Sequence, residues 1–212
     1  MSAKKTVAPL SPDAQAMVVP RIYVLAGVNG AGKSSIGGTM IRAAGGEYYN
    51  SDETARKLMV ANPVLTQTVA NSQARLTGKA LLEKAIANRL DFAFESTLGA
   101  KSIPALLRAA AQQGYKVYIW FAALSSPELH ISRVAAGVER GGHDILEVAI
   151  RRRYESSRLN LIDLLPHLTE PRLFDNSGDG NPAKGKEPKP VLVLHLVRGK
   201  IVNSADLPRT PA

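Results

Sequence analysis

The chain has 212 residues, of which 45% are hydrophobic and 21% charged, and this balance favours one well-packed domain over a disordered chain. It contains no cysteine, which excludes disulfides and thiolate metal sites, and its four histidines show no metal-ligand spacing. The formal net charge of +9 favours an acidic partner, whether a nucleic acid, an acidic protein or a phosphorylated small molecule.

The N-terminal stretch predicts a flexible lead-in, residues 1–19. Lys4 and Lys5 resemble the start of a signal peptide, but Pro9 and Pro12 interrupt any apolar region after them. No apolar run in the chain is long enough for a membrane-spanning helix. We therefore expect a cytoplasmic protein with no membrane partner.

After residue 19 the pattern alternates between apolar, β-rich runs and helical stretches. Strands are predicted at 21–26, 47–50, 91–95, 115–124 and 172–174, and helices at 33–44 and 62–90. Two further helices are predicted from their start signals, Ser126 before Pro127 and Asp144 paired with Glu147. This alternation favours an α/β fold with a mainly parallel, five-stranded sheet between helices, occupying residues 20–176.

The C-terminal part of the chain has a different pattern. Residues 177–190 are rich in Gly, Pro and Lys and predict a flexible loop. Residues 191–203 predict a C-terminal β-hairpin that turns at Arg198-Gly199 and packs on the same domain. A short tail, 204–212, follows it.

A glycine-rich segment joins the first predicted strand to the first predicted helix. It reads Gly27-Val28-Asn29-Gly30-Ala31-Gly32-Lys33-Ser34, which matches the Walker A pattern, and Ser35 follows it. Glycines let backbone N–H groups approach phosphates, Lys33 is expected to reach the β and γ phosphates, and Ser34 is expected to bind Mg²⁺. An incidental glycine-rich turn is disfavoured by the strand before it and the helix after it. The segment therefore predicts a three-layer P-loop NTPase fold that binds ATP, with GTP less favoured, and uses Mg²⁺.

Polar side chains stand where the second and third predicted strands end. Asp52 follows the second strand, and Glu95 and Thr97 end the third. Because ligands bind at strand ends in such sheets, Asp52 is a candidate base for a substrate hydroxyl, and Thr97 a candidate substrate ligand. Glu95 is expected to bind substrate hydroxyls or to order the water shell of the metal. The structural alternatives are that Ser51 or Asp52 caps the next helix, and that Glu95 and Thr97 only form a turn.

Two arginines are candidates for binding the transferred phosphate. Arg133 and Arg140 are seven residues apart, so on one continuous helix they would share a face at a separation of about 10 Å. Arginine stabilises charge on a phosphoryl group, and Gly137 with Gly141-Gly142 would suit the hinges of a closing lid. The alternative is a solvated basic face.

The ordered set of these segments resembles the zeta toxin-like P-loop kinases. The resemblance covers about residues 20–180 and rests on Ala26-Gly27-Val28-Asn29-Gly30-Ala31-Gly32-Lys33-Ser34, Asn50-Ser51-Asp52, Phe94-Glu95-Ser96-Thr97-Leu98, Arg140-Gly141-Gly142-His143-Asp144 and Arg151-Arg152-Arg153-Tyr154. Toxins of that family phosphorylate the sugar 3′-hydroxyl of UDP-N-acetylglucosamine, use ATP and Mg²⁺, and are held in check by an antitoxin. The resemblance implies that Asp52 is the base, that Glu95 and Thr97 bind substrate, and that Arg133 and Arg140 act on phosphate beside Lys33.

The leading hypothesis is therefore an ATP-dependent small-molecule kinase, by resemblance a UDP-N-acetylglucosamine kinase that serves as the toxin of a toxin–antitoxin pair. No strand ends in an Asp-rich Walker B motif, which favours a small kinase over a motor ATPase. The expected partners are ATP, an acidic small-molecule substrate and an antitoxin protein.

Two alternatives stay open at this point. One is a nucleic-acid-directed kinase or binder, suggested by the net charge and by the basic cluster Arg151, Arg152, Arg153 and Arg158. It is disfavoured because aromatic residues do not alternate with the basic ones, and because a helix spreads these arginines in different directions, which predicts a mostly structural or solvated cluster. The other is a nucleotide-binding interaction module with slow ATPase activity, since a P-loop reports binding before turnover.

Overall fold

The computed structural model describes residues 19–38, 41, 46–140, 142, 144–178 and 189–204, and the structural statements below refer to these residues. Four predicted regions lie wholly or mostly outside them: the lead-in at 1–19, the second half of the helix at 33–44, the loop at 177–190 and the tail at 204–212. Gly141 and His143 lie outside them as well.

One six-stranded sheet forms the centre of the fold. Its strands are β1 (Arg21–Ala26), β2 (Phe92–Ser96), β3 (Lys116–Ala123), β4 (Glu170–Asp175), β5 (Val191–Val197) and β6 (Lys200–Ser204), in the spatial order β2-β1-β3-β4-β5-β6. Strands β1 to β4 are parallel, whereas β5 pairs antiparallel with β4 and β6 antiparallel with β5. The predicted hairpin is present and adds two strands to the four parallel ones, so the sheet has six strands and not five.

The parallel strand predicted at 47–50 is reduced to a single bridge. Tyr49 pairs with Phe94, and its backbone exchanges hydrogen bonds of 2.8 Å with Ala93 and Glu95. The next residue, Asn50, already caps a helix, so the backbone turns away from the sheet before a strand can continue. The prediction of a full strand there was wrong for this reason.

Within the described ranges, five α-helices connect the strands. They are α1 (Ser51–Ala61), α2 (Gln67–Ala87), α3 (Ser102–Gln112), α4 (Pro127–Val138) and α5 (Glu147–Leu164), with a π-helical segment at Ser34–Gly38 and a 3-10 turn at Leu165–His167. In the described part of the chain, no helix has the length and apolar character needed to cross a membrane.

Of the two predicted helix start signals, one is confirmed and one is wrong. Ser126 caps α4 as predicted, because its side chain accepts a hydrogen bond of 3.2 Å from the backbone N–H of Leu129. The predicted pair of Asp144 and Glu147 does not cap α5, whose cap position is Leu146. Asp144 Oδ1 instead accepts from the N–H of the residue that follows it.

The main core lies between one face of the sheet and helices α2, α3 and α5. Its fully buried members include Ile22 and Val24 on β1, Leu82 on α2, Leu107 on α3 and Leu164 on α5. Because strands β1 to β4 are parallel, their carboxyl ends share one edge of the sheet. The P-loop and the residues after β2 meet at that edge, where α/β sheets bind ligands.

Helix α2 is continuous through Gly78. A Cβ atom on Gly78 would lie 2.6 Å from Cε1 of Tyr49. Glycine therefore allows the helix to pack directly against this ring, which lines the cavity described below.

Candidate active site

The P-loop, residues 27–34, connects β1 to the helical segment Ser34–Gly38. The first turn after it begins where the N–H groups of Ser35 and Ile36 both donate to Gly32 O at 3.1 Å. Gly32 has a φ of +81°, and a Cβ atom on it would lie 2.5 Å from Nδ2 of Asn176. Both the backbone conformation and the close neighbour therefore require glycine at this position, and the loop keeps the open turn used to bind phosphates.

Three groups converge on the carboxylate of Glu95, at the end of β2. Lys33 Nζ lies 3.3 Å from Oε1. Oε2 accepts hydrogen bonds from Ser34 Oγ at 3.2 Å and from Asn50 Nδ2 at 2.8 Å. The side chains of Lys33 and Glu95 are only 7% and 9% exposed, so each charge depends on the other for compensation. Glu95 thus joins the P-loop to the second segment of the site.

The oxygen atoms beside Lys33 fit a magnesium ion. Ser34 contributes a hydroxyl and Glu95 a carboxylate, and Mg²⁺ prefers oxygen ligands, of which several are usually phosphate oxygens and waters. Among the residues that the structure describes, no group of three or more His, Asp or Glu side chains could hold a metal. The two residues therefore suit an ion shared with a nucleotide's phosphates.

Asn50 connects this carboxylate to helix α1. Its Oδ1 accepts hydrogen bonds from the N–H groups of Asp52 at 2.8 Å and Glu53 at 3.1 Å, while its Nδ2 donates to Glu95. Asn50 is therefore the N-cap, and the alternative in which Ser51 or Asp52 caps the helix is wrong. The carboxylate of Asp52 is not used for capping and lines the adjacent cavity.

A cavity of about 500 Å³ opens beside the P-loop. Its walls come from α1, α2, the loop after β2 and the beginning of α5, and Asp52, Glu95 and Thr97 all line it. The structure thus brings together the three side chains predicted to face a substrate. Arg75 and Arg153 line the same space and make it suitable for an acceptor that carries negative charge. Its volume is in the range of small-molecule sites.

The loop after β2 is both a turn and a wall of this cavity. Ser96 Oγ accepts from the N–H of Leu98 at 3.1 Å, and Thr97 Oγ1 accepts from the N–H of Gly99 at 3.3 Å. The turn-forming alternative for Thr97 is therefore realised. It is compatible with a substrate contact, because an accepting hydroxyl still has a proton to donate.

The predicted arginine pair is separated by the end of its helix. Helix α4 ends at Val138, so Arg133 and Arg140 do not share a helical face. Arg133 lies beside the P-loop, with its Cβ 3.3 Å from the position that a Cβ atom on Gly30 would take. Burial lowers the pKa of its guanidinium, and Asp175 raises it. Arg140 is exposed, in a turn where its N–H donates to Gly137 O at 3.1 Å.

Arg153 is a residue of this site that the sequence interpretation missed. Its Nη1 donates to Asn29 Oδ1 in the P-loop at 2.8 Å, and its stem packs against Gly99. Burial lowers the pKa of its guanidinium, the nearby Arg75 and Arg152 lower it further, and Asp52 raises it. This member of the basic cluster is therefore not solvated, and its contact with the P-loop agrees with the structural part of the prediction.

Two other residues that the sequence interpretation missed form hydrogen bonds with the backbone of the P-loop. His130, only 1% exposed, has Nδ1 2.8 Å from the carbonyl oxygen of Asn29, and because a carbonyl only accepts, Nδ1 carries the proton. Asn176 Nδ2 donates to Ala31 O at 2.9 Å. A lone histidine inside a helix and an asparagine after a strand give no sequence signal for these roles.

The chain is similar in sequence to known proteins. The family model for zeta toxins matches residues 10–157. An uncharacterized protein from Haemophilus influenzae is 30% identical over 128 residues, which cover 60% of this chain and 88% of the relative.

Two solved structures share the fold. The crystal structure of AvrRxo1-ORF1:-ORF2 with ATP superposes with a TM-score of 0.65 at 15% identity and covers 92% of this chain, which spans 66% of the chain compared. The PezAT chromosomal toxin–antitoxin system of Streptococcus pneumoniae gives a TM-score of 0.54 at 16% identity, with 74% of this chain and 68% of that chain covered. The predicted P-loop fold is confirmed. Because the family model matches more than half of its length, the chain belongs to the zeta toxin family.

Proposed function

We propose that this protein is a kinase that transfers the γ-phosphate of ATP to a hydroxyl group of a small, negatively charged acceptor. The observation that carries the proposal is the position of Glu95. Its carboxylate contacts Lys33 and Ser34 of the P-loop and also lines the cavity that contains Asp52. A module that only binds nucleotide would need the loop but not a carboxylate-lined cavity joined to it.

We assign the role of general base to Asp52, which lines the cavity. It orients the acceptor hydroxyl and takes its proton while the oxygen bonds to the γ-phosphorus and the bond from that phosphorus to the β–γ bridging oxygen breaks, leaving ADP. The half-buried carboxylate lies in the first turn of α1, where Asn50 fixes the backbone. Thr97, on the facing loop, donates its hydroxyl proton to the acceptor.

The positive charges of the site stabilise the phosphoryl group during transfer. Lys33 and Arg133 lie at the P-loop, and Arg153 lies between the loop and the cavity. Mg²⁺, when bound through Ser34 and through waters ordered by Glu95, would neutralise charge on the β and γ phosphates. Arg140 joins this group only if the segment after α4 closes over the nucleotide.

The leading acceptor is UDP-N-acetylglucosamine, phosphorylated on the 3′-hydroxyl of its sugar. The family membership supports it, and so do the volume of the cavity and the guanidinium groups of Arg75 and Arg153 on its wall, which suit a diphosphate. We further propose that the protein is a toxin neutralised by an antitoxin. The support is the shared fold with a structure from the PezAT chromosomal toxin–antitoxin system.

The basic cluster that suggested a nucleic-acid partner is divided by the fold. Arg151 forms ion pairs of 2.7 Å with Glu128 and Glu147, and Arg158 lies 4.5 Å from the centre of the Tyr154 ring. These groups therefore do not form one surface directed at a phosphate backbone, and we prefer the small-molecule acceptor.

The test is the variant Asp52→Asn, assayed with ATP, Mg²⁺ and UDP-N-acetylglucosamine. The amide keeps the shape of the side chain but cannot take a proton, so we expect transfer to fall by about 10²-fold or more while ATP binding is kept. Asp163→Asn, at an exposed carboxylate on α5, is the matched control. Full transfer by Asp52→Asn would exclude Asp52 as the base.

The identity of the acceptor needs a separate experiment. The wild-type protein is incubated with ATP and a metabolite extract, and phosphorylated products are identified by mass spectrometry. A phosphorylated UDP-N-acetylglucosamine supports the specific proposal, and another phosphorylated small molecule replaces it. No phosphorylated product from the extract or from the pure sugar nucleotide contradicts the kinase function.

A further inference from the structure

One face of helix α5 carries polar side chains at the spacing usually reserved for a hydrophobic core contact. Arg153, Ser156, Ser157 and Asn160 follow the pattern i, i+3, i+4 and i+7. Ser157 is fully buried, and the other three are half-buried. Burying a polar group costs free energy unless the group forms a hydrogen bond. The hydrogen-bond partners of these side chains therefore indicate the role of this face.

The partners are consecutive carbonyl groups of the loop after β2. The bonds run from Ser157 Oγ to Thr97 O at 2.6 Å, from Asn160 Nδ2 to Leu98 O at 2.6 Å and to Ala100 O at 3.4 Å, and from Ser156 Oγ to Gly99 O at 2.9 Å. Three side chains of one helix therefore satisfy four carbonyls in a row.

The loop depends on these donors, because among the described residues no backbone N–H outside the helices and strands donates to its four carbonyls. It lies between β2 and α3 without regular structure, and Leu98 has a φ of +51°, in the left-handed region that a leucine rarely adopts. Such a conformation persists only when its surroundings hold it in place. The donors from α5 supply that support, and none of the three donor residues lines the cavity.

The same helix also contacts the nucleotide side of the site. One turn before Ser157, Arg153 donates to Asn29 in the P-loop at 2.8 Å. Helix α5 therefore touches the loop for the donor phosphate and the loop for the acceptor through neighbouring residues of one face. The distance between the two loops is therefore set by the helix and not by either loop.

We propose that Ser157 and Asn160 are positioning residues for the acceptor. They hold the segment with Thr97 at a fixed distance from the P-loop, so that the acceptor hydroxyl meets the γ-phosphate. This inference rests on the proposed kinase function. Ser156 has the smaller share, because its single proton is divided between Gly99 O and Arg152 O, both at 2.9 Å.

The kinetic test uses Ser157→Ala and Asn160→Asp, with UDP-N-acetylglucosamine as the acceptor. Asn160→Asp keeps the shape of the side chain but replaces a donor with a carboxylate that faces two carbonyls. We expect each variant to raise the KM for the acceptor by about tenfold, with the KM for ATP changed by less than about twofold. Ser156→Ala is expected to have a smaller effect, and Ser132→Ala, at an exposed serine on α4, is the matched control.

A measurement without turnover separates this inference from the function on which it rests. Hydrogen exchange of the peptide that contains residues 97–100 is followed in the substrate-free wild type and in both variants. We expect exchange of that peptide to become about tenfold faster in the variants, while the P-loop peptide is unchanged.

The possible results are distinct. A wild type that phosphorylates nothing, with the loop still loosened in the variants, would overturn the kinase function and with it the role in acceptor binding. An equal rise of both KM values would show general loss of structure and overturn the positioning role. Unchanged exchange at 97–100 with an unchanged acceptor KM would overturn it as well.

Discussion

Asn50 donates from Nδ2 to the carboxylate of Glu95 at 2.8 Å, and with its other side-chain atom, Oδ1, it caps helix α1. The residue therefore links two parts of the site that are distant in sequence. On one side is Glu95, which contacts Lys33 and Ser34, and on the other is the first turn of α1, which carries Asp52. The proposed base and the phosphate loop are held in register through this one amide.

The substitution Asn50→Asp separates these two roles. Aspartate caps helices as well as asparagine does, so the start of α1 should be kept. Its carboxylate would face Glu95 at hydrogen-bond distance, where two like charges repel and disturb the contacts with Lys33. We expect kcat to fall by about tenfold or more, with a loss of stability of about 1–3 kcal/mol, because the added charge is buried beside Glu95. Kinetics and thermal unfolding measure the two effects.

Asn50→Ala is the companion variant, because it removes the cap and the donor together. It should lose about 1–2 kcal/mol of stability in addition to activity. If Asn50→Asp retained wild-type kcat, the bond to Glu95 would have no role in catalysis.

Arg153 and Arg151 offer a matched comparison on one helix. Arg153→Ala removes the donor to Asn29 and a charge that lines the cavity, so we expect kcat/KM to fall by about 10²-fold. Arg151→Ala removes ion pairs whose partners are 64% and 59% exposed, and such pairs contribute little. It should keep near-wild-type activity. Equal losses in steady-state assays of both variants would indicate a general effect of positive charge.

The parts of the site that the sequence could predict follow strand ends directly. The P-loop, Glu95 and Thr97 stand at the ends of apolar strands, and Asp52 follows the single bridge at Tyr49, so their place at one edge of the sheet follows from the order of strands and helices. The prediction that Arg133 and Arg140 share a helical face was wrong, because it assumed that the helix continues past Val138.

The other site residues make contacts that sequence patterns do not report. Arg153, His130 and Asn176 reach the P-loop across 124, 101 and 145 residues of sequence. Such contacts depend on how α4 and α5 pack over the sheet edge, which local periodicity does not determine. The place of the two hairpin strands in the sheet has a similar cause, since a hairpin pattern does not indicate which edge of a sheet the hairpin will join.

Gly32 and Gly137 should respond in opposite ways to alanine. Gly32→Ala places a Cβ atom on a residue with a φ of +81° and 2.5 Å from Asn176, so we expect a loss of about 1–3 kcal/mol and weaker ATP binding. At Gly137, within α4, a Cβ atom would meet nothing within 4 Å, and the change should stabilise the protein by about 0.5–1 kcal/mol. Denaturant unfolding and nucleotide titration test both.

The activity of Gly137→Ala carries separate information. If Gly137 is a hinge that lets the segment after α4 close, the more stable variant should have a lower kcat. An unchanged kcat would remove the hinge from the mechanism and leave the residue as an ordinary helical glycine.

His130 should make stability depend on pH below neutrality. Burial lowers the pKa of His130 from its ordinary value of 6.5, and the charges that face it, on Lys33, Arg133 and Arg158, lower it further, against a raising effect of the hydrogen bond to Asn29. Between the folded pKa and 6.5 the unfolded chain binds more protons than the folded one. The free energy of unfolding contributed by this group is therefore complete above pH 6.5 and is lost as the pH falls through that window.

The variant His130→Gln isolates this contribution, because glutamine can donate to the same carbonyl but does not titrate. The difference in unfolding free energy between wild type and variant should shrink as the pH is lowered from 7 to 5, in denaturant unfolding at each pH. His167→Gln, at a half-buried histidine in the 3-10 turn, is the matched control. The contribution of His130 is the pH-dependent change in unfolding free energy that exceeds the change found with this control. A difference that grew on acidification would mean that the folded state favours the charged imidazole, in conflict with a neutral ring holding Asn29 beside three cations.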